Sequence, residues 1–123
     1  MELRLLKLFG GKTHSIEDAQ IISGLLLEKM RGVAQEKKAD FLVVISPFKG
    51  HFLQKSESYY WFENYLRDHH FNFIDYRFVI QTSGLEIEPL YVDGYHFSAA
   101  GNLLLAQTIS KRSKILRYDK INN

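Results

Sequence analysis

Residues 39–47 read Ala39-Asp40-Phe41-Leu42-Val43-Val44-Ile45-Ser46-Pro47, and this stretch decides the fold class. Phe41 to Ile45 is an uninterrupted apolar run, rich in β-branched side chains and without polar alternation. A strand with one wet face alternates in polarity, whereas a strand covered on both faces does not, so the run predicts an interior strand of a parallel sheet. Pro47 has no N–H to give a ladder and restricts the residue before it, which ends the strand at Ser46.

The segments on either side supply the helices that such a strand needs. Ahead of it, Ser15 with Asp18 three residues later forms a capping-box signature before Ile16, Ala19, Ile22, Leu26, Met30 and Val33 at helical spacing, which predicts a helix over about 15–37. Ile21, Leu25 and Leu27 widen its apolar stripe, as expected of a helix laid on a sheet, while Gly24 and Gly32 weaken it. After the strand, a loop through Gly50 and His51 leads to a second helix over about 56–69, with Tyr59, Phe62, Tyr65 and Leu66 on one face. Phe71-Asn72-Phe73-Ile74-Asp75 then predicts a second parallel strand. Residues 76–92, with Gly84 and Pro89, show no strong period and are expected to form a long functional loop. Ser98 caps a last helix through Leu103, Ala106 and Ile109, and residues 3–9 fit a short strand or a helix end equally. This order is the α/β alternation of a parallel sheet covered on both faces, with a right-handed crossover carrying the helix of residues 56–69.

A chain of 123 residues has room for one compact domain, and a sheet of five or six strands would be crowded into it. Hydrophobic residues at 46% and charged residues at 24% describe a globular chain and exclude a disordered one. Cysteine is absent, which excludes disulfides, thiolate metal sites and cysteine nucleophiles. No window approaches ~18 uninterrupted apolar residues, and Met1-Glu2-Leu3-Arg4 lacks the order of a secretion signal. No membrane span is expected, and the cytoplasm is the default compartment. The formal charge of +2 hides a basic end, with Lys111, Arg112, Lys114, Arg117 and Lys120 against Asp119. Interaction with a helix dipole and solubility account for that end, and without interleaved aromatic residues it does not predict nucleic-acid binding. Neither a Gly-x-Gly-x-x-Gly loop nor a P-loop occurs, so no nucleotide or other cofactor is expected.

The densest polar cluster is Tyr91-Val92-Asp93-Gly94-Tyr95-His96-Phe97-Ser98-Ala99-Ala100-Gly101-Asn102. Asp93 and His96 lie three apart just before a helix, a separation that lets the carboxylate fold back onto imidazole Nδ1 and fix its tautomer. Nε2 is then free to accept a proton from a hydroxyl or water. Gly94 is expected to support the tight turn, Ser98 to satisfy the helix N-terminus, and Gly101 to permit close backbone approach. Read alone, Asp-x-x-His also fits a turn-stabilising hydrogen bond. His69-His70 suits a helix C-terminus, His14 and His51 read as solvated loop residues, and no metal site is expected. Of Tyr60 and Trp61, one should be exposed, because both cannot share the face of Phe62.

Asp93-x-x-His96 followed by Ser98-x-x-Gly101 and an apolar helix to Ala106 resembles the last conserved block of the SGNH, or GDSL-like, hydrolases. The preceding helix, the strand ending at Pro47, the next helix and the strand ending at Asp75 match the C-terminal half of that fold, from about residue 15 to 110. The resemblance implies a partial three-layer α/β/α, flavodoxin-like domain with a short parallel sheet. It implies an ester hydrolase or O-acyl transferase working by a Ser-His-Asp triad, with His96 as general base and Asp93 as its orienter. The substrate class implied is an ester or an acylated small molecule or carbohydrate. The family's Gly-Asp-Ser nucleophile block and Gly-x-Asn-Asp block do not occur, and Ser46 and Ser83 lack the context of a nucleophile elbow. The chain is therefore expected to be a truncated form, inactive alone. Its open sheet edge at Phe41–Ile45 should pair with an N-terminal partner segment or a second copy. The alternative is a non-catalytic α/β interaction module that associates through the same edge.

Overall fold

The computed structural model describes residues 15–121, so the expectation for residues 3–9 lies outside the described residues. The backbone divides into two units, residues 1–39 and 40–123, and each is described by itself. In the first, helix α1 (Ile16–Glu36) starts as its sequence predicts. Ser15 Oγ accepts the Asp18 N–H at 3.1 Å and the Asp18 carboxylate accepts the Ser15 N–H at 3.2 Å. Two of the unsatisfied donors of a helix N-terminus are thereby paired reciprocally.

The second unit runs β1 (Val43–Ile45), a 3₁₀ turn (Lys49–Phe52), α2 (Glu57–Asp68), β2 (Phe73–Asp75), α3 (Tyr76–Thr82), a second 3₁₀ turn (Glu88–Leu90) and α4 (Ala99–Ile121). The two strands pair in parallel, with Val43 opposite Phe73, Val44 opposite Ile74 and Ile45 opposite Asp75. Part of the apolar run, Val43–Ile45, thus forms a parallel strand, although the sheet among the described residues has two strands and so no interior one, in a mixed helix-and-strand unit. Val43 and Ile45 are buried and Val44 is partly buried, so both faces of β1 are covered, which explains why its sequence does not alternate. Helix α2 forms the crossover and is capped by Ser56, whose Oγ accepts the Tyr59 N–H at 3.2 Å. Tyr59 and Leu66 are its buried residues, and Tyr60 is the exposed aromatic.

The segment 76–92 is not the long loop its sequence suggests, because it holds a helix and a 3₁₀ turn. Asp75 closes β2 and at once caps α3, its Oδ1 accepting the N–H groups of Arg77 at 3.1 Å and Phe78 at 3.4 Å. Tyr76 and Ile80 lie four apart on one helical face, fully buried, and join Ile74, Leu90 and Tyr91 in the core. A helix of seven residues is too short to establish a visible period, yet its N-cap and its i, i+4 apolar pair are both in the sequence. Gly84 follows with φ +73°, a left-handed conformation suited to glycine.

Candidate functional site: the Asp93–His96 turn

The site hangs from a pinned base. Tyr91 and Phe97 form an antiparallel bridge, and Val92 N–H donates to the His96 carbonyl at 2.9 Å. Tyr91 is buried and its hydroxyl donates to the Pro47 carbonyl at 2.8 Å. Phe97 packs edge-on to the Tyr76 ring at 5.2 Å and against the Tyr91 ring at 4.8 Å. Below the bridge, the Leu90 carbonyl accepts the Ser98 N–H at 2.9 Å. Ser98 Oγ accepts the Gly101 N–H at 3.2 Å and donates to the Pro89 carbonyl at 2.6 Å, so it serves the start of α4 as expected. Gly101 also behaves as read, because a Cβ there would run into the Leu90 carbonyl oxygen and meet the Phe97 Cβ at 3.1 Å.

Between the two bridge strands, Asp93 uses both carboxylate oxygens. Oδ1 accepts the N–H groups of Tyr95 and His96, each at 2.7 Å, and Oδ2 lies 2.7 Å from His96 Nδ1. A carboxylate can only accept, so Nδ1 carries the proton, and in the neutral ring Nε2 keeps the lone pair. The His96 side chain is 75% exposed and that of Asp93 50%, which leaves the pair open to a reacting group. The hydrogen bond from His96, followed by the two backbone N–H groups, holds the Asp93 carboxyl down at about 2. Asp93 therefore stays ionised through the whole range in which an imidazole exchanges protons. Gly94 is a correction: it has no positive φ and open space where a Cβ would stand, so the Asp93 carboxylate, not glycine's freedom, holds the turn.

The loop after β1 lies against this turn. Lys49 N–H donates to the Gly94 carbonyl at 3.0 Å, and the Phe48 ring meets the Tyr95 ring edge-on at 5.1 Å. His51 is not the solvated residue expected. It is partly buried, its Nδ1 accepts the Phe48 N–H at 3.1 Å, and its ring stacks on Phe48 at 5.0 Å and lies edge-on to Tyr59 at 4.9 Å. Burial, followed by the charge of Arg77, pulls its pKa below the usual imidazole value. His69 closes α2 and stacks on Tyr65 at 4.1 Å, and His14 lies outside the described residues. The dyad thus stands beside the loop that leaves the carboxyl end of a parallel strand, where open α/β sheets form their ligand crevices.

No family model, curated protein or solved structure matches the chain.

Neither candidate serine is hydrogen-bonded to His96 among the described residues. Ser46 is exposed at the end of β1, and Ser83 Oγ donates to the Ile80 carbonyl at 2.7 Å. Among the described residues no hydroxyl is hydrogen-bonded to the His96 ring. Nor do three His, Asp or Glu side chains converge as metal ligands there, and no described helix is long and apolar enough to cross a membrane.

A polar network escaped the sequence reading. Lys55 Nζ lies 2.6 Å from Glu63 and 3.9 Å from Asp75, and all three side chains are only 13–14% exposed. The Tyr59 hydroxyl donates to Asp75 Oδ1 at 2.5 Å. Burial pulls the Glu63 carboxyl up, but Lys55 and Arg67 outweigh it and hold it below its ordinary value. The signal available was Asp75 at a strand end, with Lys55 and Glu63 flanking the first turns of α2. Their convergence depends on the crossover, which sequence spacing does not display.

Proposed function

We propose that this chain carries the base half of a Ser-His-Asp acyl-transfer site of the SGNH type, with His96 as general base and Asp93 as orienter. The observation that supports this is the 2.7 Å contact of His96 Nδ1 with an Asp93 carboxylate whose other oxygen is fixed by two backbone donors. That arrangement commits the tautomer and leaves Nε2 to take the proton of a nucleophilic hydroxyl and return it to a leaving alcohol. Substrates of this reading are esters or acylated small molecules or carbohydrates. The flavodoxin-like, three-layer form belongs to the same proposal, with the parallel β1–β2 pair as its support.

No Gly-Asp-Ser block occurs in these 123 residues, so the proposal assigns the nucleophile and oxyanion donors to a further segment or partner. Among the described residues β1 pairs only with β2, and its other edge is where such a segment would add. A second reading, a non-catalytic interaction module using this edge, is favoured by the lack of a hydroxyl on His96 among the described residues. Hydrolysis of p-nitrophenyl acetate by the chain, His96→Ala and Asp93→Asn tests the first reading. Slow turnover that falls in both variants supports the base assignment. Turnover that survives His96→Ala refutes it, whereas turnover absent throughout is the outcome expected of a base half without its nucleophile and supports an inert fragment.

A further inference from the structure

Away from the dyad, a cleft of about 640 Å³ in the second unit holds more positive charge than it neutralises. It runs along β2, touching Phe73, Ile74 and Asp75 but no residue of β1, and no residue of the 91–97 turn lines it. From α4 it takes Thr108, Lys111, Arg112 and Ile115, the i, i+3, i+4, i+7 spacing of one helical face. Five cations line it, Lys55, Arg67, Arg77, Lys111 and Arg112, against the carboxylates of Glu63 and Asp75.

Three of those cations are engaged. Lys55 sits between Glu63 and Asp75, and Arg67 pairs with Glu63 at 3.1 Å. Arg77 donates from Nε to the His51 carbonyl at 2.7 Å and from Nη1 to Gln81 at 3.0 Å. Lys111 and Arg112 have no carboxylate partner among the described residues. Arg112 Nε–H is also shut off from solvent without an acceptor, a costly state for a charged donor that a bound oxygen relieves once the guanidinium turns to meet it. Beside these charges, Phe78 and Ile115 keep more than half of their surface exposed on the cleft wall.

We propose that this cleft binds a phosphomonoester carried on an apolar body. Two adjacent uncompensated cations match the dianion of a phosphomonoester, and a guanidinium fork matches its oxygens in pairs. Phe78, Val79 and Ile115 provide the apolar wall for the group that bears it. The volume suits a small organic ligand. The same chemistry comes from a free phosphorylated metabolite or from a phosphatidic acid headgroup. The proposal is independent of the acyl-transfer reading, since no dyad residue takes part.

The test is an ¹H–¹⁵N titration of the full chain, observed at the arginine Nε–H signals, with phenyl phosphate as probe and phenol as control. A parallel arm measures capture on phosphatidylcholine vesicles with and without phosphatidic acid. Phenyl phosphate should move the Arg112 Nε–H signal saturably where phenol does not. Arg112→Gln should weaken binding about tenfold or more, the loss of one charge-assisted contact. Lys111→Gln weakens it in the same direction and keeps the test open if the first variant misfolds, while Lys114→Gln, outside the cleft, leaves it unchanged. Arg112-dependent capture on phosphatidic acid assigns the ligand to lipid, and phenyl phosphate binding without capture assigns it to a soluble ester. No shift at millimolar phenyl phosphate together with no Arg112-dependent capture overturns the proposal, as does equal binding by both cleft variants.

Discussion

Replacing Gly101 by alanine adds one methyl group to the first turn of α4, and the structure fixes what that methyl meets. The new Cβ would press into the Leu90 carbonyl oxygen, with the Phe97 Cβ at 3.1 Å and the Leu90 carbonyl carbon at 3.2 Å. Neither neighbour can step aside cheaply. The Leu90 oxygen already accepts the Ser98 N–H at 2.9 Å, Leu90 is 3% exposed in the core, and Phe97 is held between Tyr76 and Tyr91. Overpacking of this kind costs about 1–3 kcal/mol. Displacing the Gly101 carbonyl also strains its 2.5 Å bond from the buried Tyr76 hydroxyl, for about 1 kcal/mol more. Alanine's helix preference over glycine returns at most ~1 kcal/mol. The net expectation is a loss of about 1–3 kcal/mol, roughly 5–15 °C in Tm for a domain of this size. Thermal melting followed by circular dichroism checks it, with urea unfolding as the second measure. Because Leu90 and Phe97 also carry the base of the dyad turn, the Asp93–His96 contact should loosen and the Asp93 carboxyl should titrate higher. A variant that melts at or above the wild-type temperature, with Asp93 unmoved, would refute the packing account of both the helix start and the turn.

Three further outcomes follow from the same geometry. Gly94→Ala changes the chain by the same methyl group but meets open space at an ordinary φ, so its stability should stay within ~0.5 kcal/mol of wild type in the same melts. In carboxyl ¹³C titrations Asp93 should show a midpoint near about 2 and move up toward the ordinary aspartate range in His96→Ala. Its folded pKa lies below the unfolded one, so the stability it lends is complete above the ordinary aspartate range and disappears as pH falls toward about 2; an ordinary midpoint in the wild type would contradict the pairing. Lys55→Met removes the cation held 2.6 Å from Glu63 and leaves two little-exposed carboxylates near one another, for a loss of about 3 kcal/mol in urea unfolding. Adding Glu63→Gln to that variant should recover part of the loss, and no recovery would mean that the network is not electrostatic in origin.

The sequence displays those parts of the fold that rest on local rules. The unalternating Phe41–Ile45 run marks a covered parallel strand because polarity along a strand reports its two faces directly. Ser15 with Asp18, Ser56 and Ser98 mark helix starts because a cap is satisfied within three residues. Helix α3 was hidden for the opposite reason. Seven residues make barely two turns, so Tyr76 and Ile80 look like two isolated apolar residues until Ile74, Leu90 and Tyr91, distant in sequence, close over them.

The candidate site divides along the same line. The Asp93–His96 contact spans three residues, and its legibility was complete because the carboxylate satisfies its own turn before it reaches the imidazole. Gly94 misled because glycine at a turn suggests left-handed backbone, whereas here two N–H groups on one carboxylate oxygen do the folding with ordinary angles. His51 misled because Tyr59, which meets its ring, arrives only when α2 packs beside the loop after β1, while its bond to Phe48 is local. This division explains why the dyad can be both exposed and ordered. Its internal geometry needs no tertiary contact, while its position is set by the Tyr91 hydroxyl on the Pro47 carbonyl and the Lys49 N–H on the Gly94 carbonyl, two bonds that tie the turn to the loop leaving β1. An exposed imidazole without such ties would lose its orientation to solvent motion, and a base held to the end of a strand keeps its free nitrogen aimed at a constant place relative to the sheet. On the proposed acyl-transfer reading, a segment that adds beside β1 would enter that same frame, and a hydroxyl at its strand end would meet an imidazole whose Nδ1 is already engaged by Asp93.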